Sequence, residues 1–234
     1  MHRFFLRDLT GLTLAGKEAH HARQVLRVRV GEEAVVFDGA GNFVRGQVAE
    51  IGRDAVQLRA LERGQSPPLL CRITLACAVI KKNMDFIVQK ATELGVATIV
   101  PLLTERTIAR PDRSDRWADI ALEACKQCGN NWLPEIAAPV PLTKWLATKP
   151  MADLKVVAAL TPDAHPLRQV LRPALSACVL IGPEGDFTPA EYAAAQSAGY
   201  WPVTLGPLVL RADTAALYAL SIVHHELVTH RGVC

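Results

Sequence analysis

Ile181-Gly-Pro-Glu-Gly-Asp-Phe-Thr-Pro-Ala-Glu191 is the stretch on which the reading of this chain turns. The run that leads into it, Ala177-Cys-Val-Leu-Ile181, is short, apolar and partly β-branched, and so predicts a buried strand. Gly182 and Gly185 leave the next loop without Cβ atoms at two points, where a ligand can approach the backbone. Thr188-Pro189-Ala190-Glu191 then has the spacing of a capping box, with proline at the first helical position, so a helix start is specified. Strand, loop and capped helix make one α/β unit. In open α/β sheets, ligands lie beyond the carboxyl ends of the strands, where this loop must sit. An ordinary strand-to-helix turn would have the same spacing, so at this point both readings stand.

The flanking sequence repeats the alternation. Downstream, Val203-Thr-Leu205 predicts a short strand, and Leu205-Gly-Pro-Leu-Val-Leu-Arg-Ala-Asp-Thr-Ala215 a second loop that enters a final helix over 215–228. Leu208 and Leu210 in that loop could line a pocket for a flat apolar group. Asp213 or Thr214 is the expected N-cap. Arg211 stands beside a helix N-terminus whose dipole already favours anions, which points to a phosphate or carboxylate partner. Upstream, Ile73–Ile80, Thr98–Val100 (ending at Pro101) and Leu154–Leu160 predict strands. Met84, Ile87, Val88, Ala91 and Leu94 fall at helical spacing before Gly95, and Ser114–Cys128 predicts a helix stopped by Gly129. Strands joined by helices predict an α/β domain over 72–234, a mostly parallel sheet with helices on both faces.

Residues 1–68 have a different texture. Ala34–Phe37 and Val44–Val48 flank Asp38-Gly-Ala-Gly-Asn42, which is hairpin punctuation, and Ala55–Arg59 alternates. Gly39-Ala-Gly41 has no helix after it, so it is a turn rather than a dinucleotide loop. His20–Arg27 predicts a short helix with Arg23 and Arg27 on one face. Gln65-Ser-Pro-Pro68 is the expected linker. The chain of 234 residues carries a net charge of only +3, yet Arg3, Arg7, Lys17, Arg23, Arg27 and Arg29 face only Asp8 and Glu18 within residues 1–30. Such a surplus suits a polyanion, or is simply a solvated face. The start lacks the apolar core of a signal peptide, and no apolar run is long enough to span a membrane. A cytosolic chain with reduced thiols is expected. Cys125 and Cys128 have metal-pair spacing but no second pair, so they are expected to be small buried hydrophobes, and no metal is expected.

In their order along the chain, these motifs resemble the bacterial 16S rRNA (uracil-1498-N3)-methyltransferase family of the SPOUT superfamily. The resemblance spans nearly the whole chain: Arg3-Phe4-Phe5, His20-His21 through Val25-Leu26-Arg27, Asp38-Gly39 with Gly41, Lys81-Lys82, Gln89-Lys90-Ala-Thr-Glu-Leu-Gly-Val96, Glu105-Arg106, Arg116-Trp117, Glu123-Ala124 with Gln127, Ile181–Gly185, and Leu205-Gly206 to Leu210-Arg211. It departs from the pattern at Asp186, where a third glycine is usual, at Ala212-Asp213, where Thr-Glu is more frequent, and at Asn130-Asn131, where an arginine is frequent.

The resemblance implies a PUA-like, RNA-binding β-barrel over 1–68 and a SPOUT methyltransferase domain over 72–234 that ends in a trefoil knot. It implies a cytoplasmic homodimer acting on the 16S rRNA of the small ribosomal subunit. It implies S-adenosylmethionine bound in a bent pose by Leu160-Thr161, by Ile181, Gly182, Pro183 and Gly185, and by Leu205, Gly206, Leu208 and Leu210. For the reaction, Arg211 would hold the uridine anion or a phosphate, and Glu184 or Asp213 would be the base, Glu184 having the better claim. Arg3, Arg7, Arg23 and Arg27 would track RNA phosphates. Methylation of another atom, such as a ribose 2′-hydroxyl, is the nearest alternative. A non-catalytic RNA-binding ribosome-assembly protein and a metabolic enzyme using a nucleotide are more distant ones.

Overall fold

Pro67 and Pro68 follow the last strand of the N-terminal sheet, and the chain divides at this point. The computed structural model describes residues 1–108 and 112–229. They form two units, one of Met1–Pro68 with Leu122–Leu133, the other of Leu69–Ala121 with Pro134 onward.

The first unit contains β1 (His2–Phe5), β2 (Thr13–Ala15), α1 (Gly16–His20), β3 (Glu33–Phe37), β4 (Asn42–Ile51) and β5 (Ala55–Gln65). Its sheet has the order β1-β3-β4-β5-β2; β1 is parallel to β3 and the other pairs are antiparallel. The β3–β4 hairpin turns on Asp38, whose Oδ1 accepts the backbone N–H groups of Ala40 and Asn42 at 2.7 and 3.1 Å. Gly39 and Gly41 take φ of +79° and +91° there, a conformation closed to most side chains. Register shifts at Arg45/Gly46 and Val48/Glu50 bend the long β4. Phe4, Leu14, Val36, Val44, Val48 and Val56 fill the core on the inner face. The third hairpin strand runs to Gln65, six residues beyond the alternation visible in the sequence.

The helix expected over His20–Arg27 is displaced. It begins at Gly16, widens into a π-turn over His21–Val25, and Arg27 follows in the left-handed region at φ +54°. The four-residue spacing that would put Arg23 and Arg27 on one face therefore does not apply.

The second unit contains β6 (Arg72–Ala78), α2 (Met84–Glu93), β7 (Thr98–Leu103), the first half of α3 (Ser114–Cys128), β8 (Glu135–Ile136), β9 (Val140–Pro141), α4 (Leu142–Ala147), β10 (Leu154–Ala158), β11 (His165–Pro166), α5 (Leu167–Val170), β12 (Ser176–Ile181), α6 (Pro189–Ser197), β13 (Trp201–Thr204) and α7 (Ala212–His224). The sheet order is β11-β13-β10-β12-β6-β7-β8, with β9 also on β7, and every pairing is parallel. Central strands buried on both faces need continuous apolar runs, and β12 and β6 supply them. Ala76, Leu102, Leu142, Val157, Leu180, Phe187 and Tyr192 make the core on one face; α7 packs against α2, β12 and β6.

Contrary to the sequence expectation, Pro101 does not end β7; it pairs with Cys77 inside the strand. Its side of the strand is shown by Ile99, whose carbonyl accepts from Ala137 on the β8 side. Between the β8 pairing at Ile99 and the β9 pairing at Leu102, no strand residue faces Pro101, so its missing N–H leaves no ladder bond unmade. The final helix also starts earlier than expected. Arg211 is the N-cap position of α7 and makes no side-chain cap; Asp213 and Thr214 lie inside the first turn. No helix among the described residues is long and apolar enough to cross a membrane.

Candidate active site

The loop after β12 is built as its sequence specifies. Thr188 caps α6 by accepting the Glu191 N–H at 3.3 Å, and Glu191 returns the bond to the Thr188 N–H at 2.9 Å. Asp186, in the place of the usual glycine, takes the left-handed conformation at φ +62°. Its Oδ1 accepts from the Tyr192 hydroxyl at 2.7 Å and from the Phe187 N–H at 2.8 Å. A short carboxylate is among the few non-glycine side chains that hold this conformation by local hydrogen bonds. Burial, and then Asp186 beside it, push the Tyr192 hydroxyl above its ordinary range, so it remains a donor.

The carboxyl ends of β10, β12 and β13, with the start of α7, line a cavity that opens to solvent. Of the ten residues expected to hold a cofactor, Leu160, Ile181, Gly182, Pro183, Leu205, Gly206, Leu208 and Leu210 line it. Ala158, Ala159, Glu184, Asp186, Val209, Ala212 and Ala215 complete the wall. Thr161 lies instead on a neighbouring cavity, with Arg106, Asp163 and Gln196. Gly185 points at Arg106, which donates to its carbonyl at 2.5 Å.

The three residues expected to act in the chemistry differ in setting. Glu184 is exposed on the cavity rim, and its Oε1 accepts the Lys81 backbone N–H at 3.4 Å. Asp213 is buried and accepts from the Asn83 side-chain amide at 2.6 Å and from the Thr214 N–H at 2.9 Å. Chiefly through the Asn83 bond, its carboxyl is held below the ordinary aspartate range. Arg211 is exposed, with Nε 3.5 Å from Asp213. The buried Cys77 thiol is pushed up to about 12, first by burial and then by Glu184 and Asp213. Asn83 was not singled out in the sequence. The available signal was a short polar residue just before a helix, and its partner is 130 positions away.

In the first unit, Arg7 and Arg27 are exposed, while Arg3 and Arg23 are engaged. The Arg3 guanidinium lies 5.1 Å from the centre of the Phe37 ring and donates to Asn131; Arg23 donates to the Arg53 carbonyl. Asn131, where an arginine is frequent, is buried and passes a hydrogen bond to Ser66 at 2.8 Å. Of the two cysteines expected to be buried, Cys125 is, its thiol pushed up to about 12 by burial, but Cys128, at the end of α3, is exposed; among the described residues no cluster of three metal-ligating side chains occurs.

Residues 66–224 match the model of an RNA methyltransferase domain, and residues 14–61 that of an RNA methyltransferase PUA domain. A relative from Synechocystis sp., ribosomal RNA small subunit methyltransferase E, is 33% identical over 90% of this chain and 71% of its own length. A probable rRNA-methyltransferase from Porphyromonas gingivalis superimposes with a TM-score of 0.90 at 28% identity, over 99% of this chain and all of its own. A ribosomal RNA small subunit methyltransferase E from Neisseria gonorrhoeae, bound to S-adenosyl methionine, superimposes with a TM-score of 0.88 at 29% identity, over 97% and 98% of the two chains.

Proposed function

Since the chain belongs to the RNA methyltransferase family, we propose that it transfers the methyl group of S-adenosylmethionine to N3 of a uridine in the 16S RNA of the small ribosomal subunit. The observation that carries this reading is the cavity in which the loops after β12 and β13 meet. Its residues fit the donor: Ile181, Leu205, Leu208 and Leu210 offer apolar surface to a flat base, Gly182 and Gly206 open the backbone, and Glu184 supplies negative charge for a cationic molecule. When bound, the donor supplies an electrophilic methyl group on sulfur.

The protein must then manage a proton and a developing charge. N3 of uracil carries a weakly acidic proton, and its lone pair is available only once that proton leaves. Glu184, exposed on the rim, is the candidate acceptor. Asp213 is the weaker base, because its bond from Asn83 favours the ionised form. It acts as a positioning residue beside Arg211. Arg211, at the N-terminus of the thirteen-residue α7, would stabilise the uridine anion or an adjacent phosphate. Arg7 and Arg27 of the PUA-like unit would contact RNA phosphates.

The same reading includes the finer fold and assembly that the resemblance implies: a C-terminal trefoil knot, a homodimer and a place in the cytoplasm with the ribosome. Leu208 and Val209, exposed at 74% and 77%, support a second copy covering this edge.

The test is calorimetry with S-adenosylmethionine, followed by methyl transfer to unmodified small subunits, with the product nucleotide identified by mass spectrometry. 3-Methyluridine is the expected product. A methyl on a ribose oxygen would assign the chain another reaction of the same fold, and no transfer at all would overturn the enzymatic reading.

A further inference from the structure

The second unit has another cavity, open to solvent, at the carboxyl end of β6. Because β6 is the direct neighbour of β12, with Ile181 opposite Cys77, the two cavities open from adjacent strands at the same edge of the sheet. Adjacent strands lie about 4.8 Å apart. Two hydrogen bonds join the cavities: the Lys81 N–H reaches Glu184 at 3.4 Å, and the Asn83 amide reaches Asp213 at 2.6 Å. Lys81 and Asn83 line the second cavity, Glu184 the first, and Asp213 sits in the first turn of α7 beside Ala212, which also lines the first.

The chemistry of this second wall suits a nucleotide. Phe86 is 46% exposed on α2, a large apolar side chain facing solvent at a cavity. Lys81 and Arg113 are exposed cations on the same wall. The one carboxylate there, Asp85, is already neutralised: Arg116 binds it at 2.5 and 2.9 Å and the Trp117 indole N–H at 3.2 Å. The cavity beside Thr161 is the reverse case. It carries two carboxylates, Asp163 and Asp186, against one cation, Arg106, whose guanidinium donates to the Gly185 carbonyl. A polyanion would be repelled there and accepted here.

Resting on the methyl-transfer reading above, we propose that the cavity at Lys81, Asn83, Phe86 and Arg113 receives the target nucleotide, with the unstacked pyrimidine against the Phe86 ring and the flanking phosphates on Lys81 and Arg113. The base leaves its own stack to be methylated, and an aromatic platform replaces part of the lost stacking. The Glu184 and Asp213 joints then place the base edge next to the methyl donor.

The experiment uses the full chain, S-adenosylmethionine and unmethylated 16S rRNA, with Phe86→Ala, Phe86→Trp and the double variant Lys81→Ala/Arg113→Ala. Phe86→Ala is expected to weaken RNA affinity roughly 5- to 150-fold. Phe86→Trp retains affinity, and calorimetric affinity for S-adenosylmethionine is unchanged in all three. The double variant lowers the slope of log affinity against log salt by about 1.5. RNA carrying 4-thiouridine at the modified position is expected to crosslink to residues of this cavity. Wild-type RNA affinity and salt slope in the variants, or crosslinks confined to other surfaces, would overturn the pocket while the wild-type chain still methylates. Failure of the wild-type chain to bind S-adenosylmethionine or transfer methyl would overturn the methyl-transfer reading, and the pocket with it.

Discussion

Asn83 and Asp213, 130 positions apart, are joined at 2.6 Å across the N-terminal ends of two helices, α2 and α7. Asn83 is the N-cap of α2 and sits in the left-handed region at φ +68°, which asparagine tolerates better than most residues. Its side chain does not cap its own helix; it is given to Asp213. The bond thus ties the N-terminal end of α2 to the first turn of α7, where Ala212 lines the cavity, and favours the ionised form of Asp213.

The sign of the resulting pH dependence follows from that depressed carboxyl. Its contribution to stability is complete above the ordinary aspartate range near about 3.9 and is lost as pH falls through the lower folded value. Asp213→Asn keeps an acceptor but removes the charge, so it is expected to cost about 1 kcal/mol at pH 7. That difference should shrink as pH falls below about 4, where the unfolded-state carboxyl protonates, and close below the lower folded value. Urea midpoints of the two proteins at pH 7 and at pH 3 measure it. A gap that does not narrow would mean that Asp213 is not the titrating partner.

Two glycines of the loop after β12 should respond differently to one added methyl group. A Cβ on Gly182 would lie 3.2 Å from the Phe187 ring and 3.3 Å from Asp186, and Phe187 is buried at 3% exposure. Gly182→Ala is expected to cost about 1–3 kcal/mol and to weaken S-adenosylmethionine binding, since the loop must shift. A Cβ on Gly185 meets the Arg106 side chain at 3.3 Å, and Arg106 is exposed and can move. Gly185→Ala should stay within about 0.5 kcal/mol. Thermal unfolding and calorimetry on both variants decide; equal losses would contradict the geometry.

Local rules carried the sequence reading where structure was local. Thr188-Pro189-Ala190-Glu191 fixed the start of α6 because both capping bonds close within four residues, and Gly129 marked the end of α3 because its φ of +85° suits glycine. The cavity was legible to the extent that its walls are contiguous loops beyond strand ends. Pairings between distant residues were not legible. Whether Pro101 may continue a strand depends on which neighbour faces it, and that is decided by β8 and β9. The grouping of Leu122–Leu133 with the N-terminal residues depends on Trp132, whose ring lies against Gly41 and whose indole N–H donates to Ser66 and Pro67. Neither end of that contact has a sequence signature of the other.

Asp186 separates backbone strain from side-chain bonding. Asp186→Gly relieves the left-handed backbone but removes the acceptor of the Tyr192 hydroxyl, which then keeps the Ala158 carbonyl at 3.2 Å. Asp186→Ala loses the acceptor and keeps the strain, so it is expected to be less stable than Asp186→Gly by about 1–2 kcal/mol. Asp186→Asn, which holds the same conformation and retains an acceptor, should lie closest to wild type. Denaturant midpoints give the order; alanine equal to or above glycine would show that the loop relaxes out of the left-handed region.

The basic N-terminal region should divide into arginines that hold the unit together and arginines available to RNA. Arg3 is partly buried, stacked on Phe37 and bonded to the buried Asn131, and its charged form is desolvated. Arg3→Ala removes a donor from a buried amide and is expected to cost about 1–3 kcal/mol of stability. Any change in RNA binding should track that unfolding. Arg7 and Arg27 are exposed, and replacing both with alanine should leave stability within about 0.5 kcal/mol. If each contacts one phosphate, the double variant lowers the salt slope of RNA binding by about 1.5 and leaves S-adenosylmethionine affinity unchanged. Filter binding over a salt series, beside thermal unfolding of the same samples, separates the two groups. A salt slope equal to wild type in Arg7→Ala/Arg27→Ala would remove these two residues from the RNA interface.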